Sequence, residues 1–270
     1  MSDKSWYRFE RNADGPTEIF LYGEIGGGGI TANEFVQELR GVDAASLKVR
    51  INSPGGLVDD GLAIIHALNE FEGYIETHGD AAVYSIASVI MQAGDKRRMA
   101  PKARMMVHEA MAFGLGYAED MERLSVHLRE TTQMIAGIYA ERSGKEAAYW
   151  LTKMKAETRM DGKTTVDEGL ADELSEENDR AAFRIAANFN LTRFRYSAAL
   201  KAELEQVAGD LGIEPLQIPT DHIEDLETAL EAANAALKAI RESNKAPSPA
   251  PNPRAAARRE LDAAIARVKL

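Results

Sequence analysis

Five histidines, one serine at the start of a small apolar helix pattern and one Ser-Pro-Gly-Gly turn are the residues of this chain that could do covalent chemistry. Histidine is the usual base near neutral pH. His66, His127 and His222 sit among charged neighbours in helical patterns, where a solvated side chain is the default. His78 and His108 end strand-like runs, and strand ends followed by loops are where α/β folds place reactive groups. Ser85 lies in Gly-Asp-Ala-Ala-Val-Tyr-Ser-Ile-Ala-Ser, residues 79–88. A nucleophile there gains twice: the turn exposes its hydroxyl, and helix-start N–H groups favour an anion. The alternative is a plain helix cap. Ser88, one turn on, is the rival, and its interior position suits packing.

The turn Ser53-Pro54-Gly55-Gly56 follows a strand pattern and precedes a helix pattern. Paired glycines let the backbone approach a ligand, and their N–H groups can point at a developing oxyanion. An ordinary strand-to-helix turn would look the same. The glycine run at 26–29 lacks the lysine of a phosphate loop and the G-x-G-x-x-G spacing, and reads as a flexible turn.

The elements that must position these groups follow from periodicity. Residues 18–25, 47–52, 74–78 and 104–108 read as strands. Residues 57–71 and 118–142 read as helices, and 85–93 as a short buried one. Strands interleaved with helices predict an α/β core with parallel pairing.

The chain has 270 residues and a net charge of −11. This argues against nucleic acid as the main partner, because phosphate binding needs a basic face. Cysteine is absent, which excludes disulfides and cysteine nucleophiles. No apolar run reaches the length of about 18 residues that a membrane span needs, and the first twelve residues carry charges where a signal peptide needs an apolar stretch. A soluble, cytoplasmic protein is expected. Residues 1–178 carry the whole net charge of −11, and 179–270 are neutral. The expected organisation is a folded domain at 1–178, a helical extension at 179–244, a proline-rich linker at 245–253 and a basic terminal helix at 254–270. In the extension, Ile223, Leu226, Leu230, Ala233, Leu237 and Ile240 form a short heptad seam. A helix packed on its own domain and self-association both fit that seam.

Together, the turn at 53–56, Ser-Ile-Ala-Ser-Val-Ile at 85–90 leading to Ala93-Gly94, and Met-Ala-Pro at 99–101 leading to Met-Met-Val-His at 105–108 resemble the Clp protease proteolytic subunit family. The likeness is greatest to its phage branch, the head maturation (prohead) proteases. Glu157-Thr158, residues 167–172 and Ile-Ala-Ala-Asn-Phe at 185–189 extend the resemblance to about residues 17–195.

The resemblance implies a Clp protease/crotonase-like spiral of ββα units with a protruding handle helix at about 118–142, plus an α-helical C-terminal extension. It implies Ser85 as nucleophile, His108 as general base, and the N–H groups of Gly56 and Ile86 as oxyanion donors. Glu157 would be the third member, with Asp161 the less favoured choice; His78 keeps a minor claim as base. Two extra residues separate Gly79 from Ser85 relative to the shortest family pattern. Residues 112–117 fall where the family pairs a strand with bound peptide. Arg97, Arg98, Lys102 and Arg104 form a positive patch, either a solvated edge or an inter-subunit contact. The implied function is a serine endopeptidase acting on capsid or scaffold polypeptides as a homo-oligomeric ring in host cytoplasm or procapsid. It would need no cofactor or metal, and the C-terminal tail would tether it inside the procapsid. The competing readings are a cellular subunit fed by an ATPase, an inactive scaffold protein, and a crotonase-type acyl-CoA enzyme.

Overall fold

The computed structural model describes residues 6–12, 15–112, 114–176, 180–186, 189 and 191, all within one compact unit. The heptad seam, the proline-rich linker and the basic terminal helix lie outside the described residues.

The chain opens with β1 (Tyr7–Glu10) and β2 (Thr17–Tyr22), continues through α1 (Ala32–Arg40), β3 (Ser46–Ser53) and α2 (Val58–Asn69), and reaches β4 (Tyr74–Tyr84) and α3 (Ile86–Ile90). Then come β5 (Lys96–Met99), β6 (Arg104–Val107), α4 (Ala118–Ser143), α5 (Ala147–Lys155), β7 (Thr158–Asp161), α6 (Gly162–Asp167), β8 (Glu173–Leu174) and α7 (Arg180–Ala186). The fold is mixed α/β with a mostly parallel sheet. Strands run β1-β2-β3-β4-β5-β8, and β6 pairs with both β4 and β7. Only β1/β2 and β6/β7 are antiparallel among the described strands. No helix among the described residues is long and apolar enough to cross a membrane.

The strands form where apolar residues alternate. In β3, Leu47, Val49 and Ile51 are buried while Lys48 and Arg50 between them are partly exposed, the period of two that turns one face inward. That face packs on α1, α2, α3 and α4 through Phe35, Ile64, Val89 and Ile135. Helix α1 starts where the Glu34 carboxylate accepts from the Thr31 N–H at 3.0 Å, a capping contact. Helix α4 stops at Gly144, whose φ of 71° suits glycine. On the sheet's opposite face a smaller cluster joins Ala81, Ala82, Tyr84 and Met106 to Ala182, Phe183 and Ala186 of α7.

Strand β4 runs six residues past the expected 74–78. An aspartate is a poor strand residue, yet Asp80 is buried inside it. Its carboxylate takes a two-pronged contact from Arg50, at 2.8 and 2.9 Å, and a bond from the Tyr22 hydroxyl at 2.7 Å. A buried carboxylate is tolerated when paired and hydrogen-bonded in this way. Two of the four residues of the expected positive patch, Arg97 and Arg98, are ion-paired within the chain. Arg97 is buried against Asp172 at 2.5 Å and donates to Gln92 and the Gly169 carbonyl. Arg98 pairs with Glu76 and Glu173. These charges tie β5 to its neighbours, because Glu76 lies on β4, Glu173 on β8 and Asp172 just before β8. The described residues of 112–117 contain no strand.

Candidate active site

Strands β4 and β6 run parallel, with Tyr84 opposite Met106. Their C-terminal ends therefore emerge side by side: Ser85 directly follows Tyr84, and His108 comes two residues after Met106. The Ser85 Oγ and the His108 Nε2 are 2.7 Å apart, a hydrogen-bond length. The Ser85 N–H donates to the Met106 carbonyl at 2.9 Å, which ties the serine backbone to the histidine's strand.

Ser85 links β4 to α3 in a sharp turn, with φ 57° and ψ −132°. Such backbone costs a non-glycine residue of order 1–3 kcal/mol and persists only where its surroundings enforce it. The turn lifts the hydroxyl off the strand end. Ser88 is different: it is fully buried, its Oγ donates to the Ser85 carbonyl at 2.5 Å and meets the Tyr139 hydroxyl at 2.7 Å. It braces the turn from behind. Burial pushes the Tyr139 phenol well above its ordinary range.

The glycine turn at 55–56 lies against the serine. Gly55 has φ 89°, and a Cβ there would reach the Ser85 Cβ. At Gly56 a Cβ would meet the Ile25 carbonyl oxygen at 2.0 Å. Ile25 straps the turn from the other side: its N–H donates to the Gly55 carbonyl and its carbonyl accepts from Leu57, both at 2.9 Å. The N–H groups of Gly56 and Ile86 have no acceptor among the described residues. No local sequence pattern announces the strapping by Ile25, and the glycine run at 26–29 is expected only as a flexible turn. Gly27–Gly29 is a single 3₁₀ turn following it.

Glu157 immediately precedes β7, which pairs antiparallel with β6. The last register pair is Val107 with Thr158, so carrying the register one step further aligns His108 with Glu157. Glu157 has φ 48°, left-handed backbone at the exit of α5. Asp161 lies at the other end of β7, opposite Arg104, and its carboxylate caps α6 by accepting from the Thr164 N–H at 2.7 Å. That bond holds its carboxyl below the ordinary range. The structure does not bring Asp161 to His108. Nor does it bring His78, which sits in the middle of the sheet between Arg50 and Arg98, paired with Glu76. Burial lowers the His78 pKa. His66 of α2 pairs with Glu70 just past that helix's end, and His127 is exposed on α4; His222 lies outside the described residues.

A cavity of ≈ 470 Å³ opens beside Ser85 and His108, walled by Ile86, Val89, Ile135 and Tyr139. Serine, imidazole, two open N–H groups and an apolar recess are the parts of an acyl-transfer site.

The sequence profile of the family described as Clp protease matches residues 2–178. An ATP-dependent Clp protease proteolytic subunit of Streptococcus mutans is 30% identical over 156 residues, covering 55% of this chain and 80% of the relative. Proteins of the same description from Streptococcus sanguinis and Ligilactobacillus salivarius are 29% and 30% identical, over 80% and 75% of their lengths and 55% and 52% of this chain.

Proposed function

Because the chain belongs to the Clp protease family, we propose that it is a serine endopeptidase with Ser85 as nucleophile and His108 as general base. The 2.7 Å contact between their side chains carries the reading. His108 Nε2 takes the hydroxyl proton as the Ser85 Oγ attacks a peptide carbonyl. The N–H groups of Gly56 and Ile86 receive the oxyanion. His108 returns the proton to the leaving amine, and water attacks the acyl-enzyme by the reverse route. Removing one such donor costs about 2.7–4 kcal/mol of barrier. Glu157 orients the imidazole from the neighbouring register position and stabilises its charged form. A longer carboxylate serves this role in other serine hydrolases.

The finer reading is a prohead protease that cuts capsid or scaffold polypeptides within a homo-oligomeric ring built on the spiral fold. The long helix α4 supports it as the handle between rings: its buried residues, Thr131, Thr132, Ile135, Ala136 and Tyr139, all fall in its second half. The relatives' description as ATP-dependent favours a second reading, a subunit fed by an ATPase. Stimulation of protein degradation by an added unfoldase selects the second; unassisted cleavage of capsid precursors selects the first.

Fluorophosphonate labelling followed by peptide mapping tests the chemistry. Label on Ser85, lost in Ser85→Ala and His108→Ala, is expected. Label elsewhere, or none in a folded sample, refutes the assignment.

A further inference from the structure

The strand that carries Ser85 changes neighbours on its way to the site. Up to Gly79, β4 pairs with β5; from Ala82 it pairs with β6. Over that interval β3 advances two residues, Ile51 to Ser53, while β4 advances four, Gly79 to Val83. The surplus is a bulge, and bulges re-aim the strand beyond them.

Asn52 sits opposite the bulge, fully buried. Its Oδ1 accepts from the Ala82 N–H at 3.2 Å, and its Nδ2 donates to the Ala182 carbonyl of α7 at 2.8 Å. Its own carbonyl accepts from the Gly23 N–H at 3.1 Å. Alongside, Phe183 of α7 is fully buried in a cluster with Ala81, Ala82, Tyr84 and Met106. Tyr84 precedes Ser85, and the Met106 carbonyl holds the Ser85 N–H. One small cluster thus underlies both halves of the Ser85–His108 contact. Its α7 members lie beyond residue 178, where the match to the family ends.

We infer that Asn52 and Phe183 are positioning residues, and that α7 is a working part of the site. Asn52 staples the bulge to α7, and Phe183 fills the space beneath the ends of β4 and β6. Without them the bulge has more than one way to settle, and the end of β4 is free to shift. A displacement of about 1 Å can cost a hundredfold in rate. The inference rests on the peptidase reading above.

The test uses the full-length chain. The rate of fluorophosphonate labelling at Ser85, kcat and KM on a fluorogenic peptide, and the urea midpoint are measured for wild type, Asn52→Ala, Asn52→Asp, Phe183→Ala and Phe183→Leu. In folded samples, Asn52→Ala and Phe183→Ala should lower labelling and kcat by about ten- to a hundredfold with KM little changed, and Phe183→Leu should recover most of the loss. Folded variants that label at the wild-type rate and merely unfold earlier overturn the inference. Where Phe183→Ala does not fold, Asn52→Asp decides. It keeps the acceptor for Ala82 and loses the donor to Ala182, so reduced kcat supports the inference and wild-type kcat overturns it. A wild-type chain unlabelled at Ser85 overturns the peptidase reading, and the inference with it; a labelled wild type beside equally labelled variants overturns the inference alone.

Discussion

A methyl group on the Cα of Gly55 would stand 2.5 Å from the Cβ of Ser85 and 2.8 Å from the Tyr84 carbonyl oxygen. Neither neighbour can yield without moving the turn that presents the hydroxyl. Gly55→Ala should therefore move both the serine and the adjacent Gly56 N–H, lowering kcat by about a hundredfold or more. Peptide hydrolysis under saturating substrate checks this. Wild-type turnover would mean that Gly56 is not a donor.

Ser85 holds left-handed backbone that glycine adopts at little cost. Ser85→Gly and Ser85→Ala both remove the hydroxyl, but only the first relieves the backbone. Both variants should be inactive, and Ser85→Gly should be the more stable by about 1 kcal/mol after its extra unfolded-state entropy is counted. Urea unfolding of the two side by side measures the difference.

Glu157 and Asp161 are separable by isosteric swaps that remove the charge. Glu157→Gln removes the carboxylate aligned with His108 and should lower kcat by about two to four orders of magnitude. Asp161→Asn keeps an oxygen for the Thr164 N–H and should leave kcat near wild type. The reverse ranking in peptide kinetics would assign the third member to Asp161.

Glu168 should make the stability of this domain pH-dependent. Burial favours its neutral form, but hydrogen bonds from Lys145, Tyr149 and Lys153 outweigh it and hold the carboxyl at about 2, against an ordinary 4.5. A depressed folded value contributes stability that is present above the unfolded value and lost as pH falls through the folded one. Glu168→Gln should melt below wild type at neutral pH. The gap should close between about pH 4.5 and pH 2. Thermal melts across that range check it, and a gap that persists at the acid end would assign the loss to packing.

The sequence displays what depends on local period and conceals what depends on pairing across the sheet. Alternation marks β3, which turns one face inward, and helical periodicity marks the extent of α2 and α4. It does not mark their buried residues, since α2 buries Gly61, Ile64, Ala67 and Leu68 while Leu57 is exposed, and α4 buries residues only in its second half. Asp80 hides the second half of β4, since the Arg50 and Tyr22 that neutralise it come from two other strands. Arg97 looks like a surface charge until Asp172, 75 residues away, is brought beside it. Ser85 and His108 stand out as candidates by residue type and strand-end position. Their separation is set by the register of Tyr84 with Met106, which no local pattern encodes. Helix α7 is too short for its periodicity to declare a face.

The surplus in β4 is an even number of residues, and parity matters here. Side chains alternate up and down along a strand, so adding or removing a pair restores the same orientation on the far side, whereas a single residue inverts it. Val83 stays in the main core and Tyr84 in the opposite cluster because the difference is two. Length variation before the serine is thus admissible in steps of two, and a deletion of one residue there would turn the hydroxyl away from the imidazole.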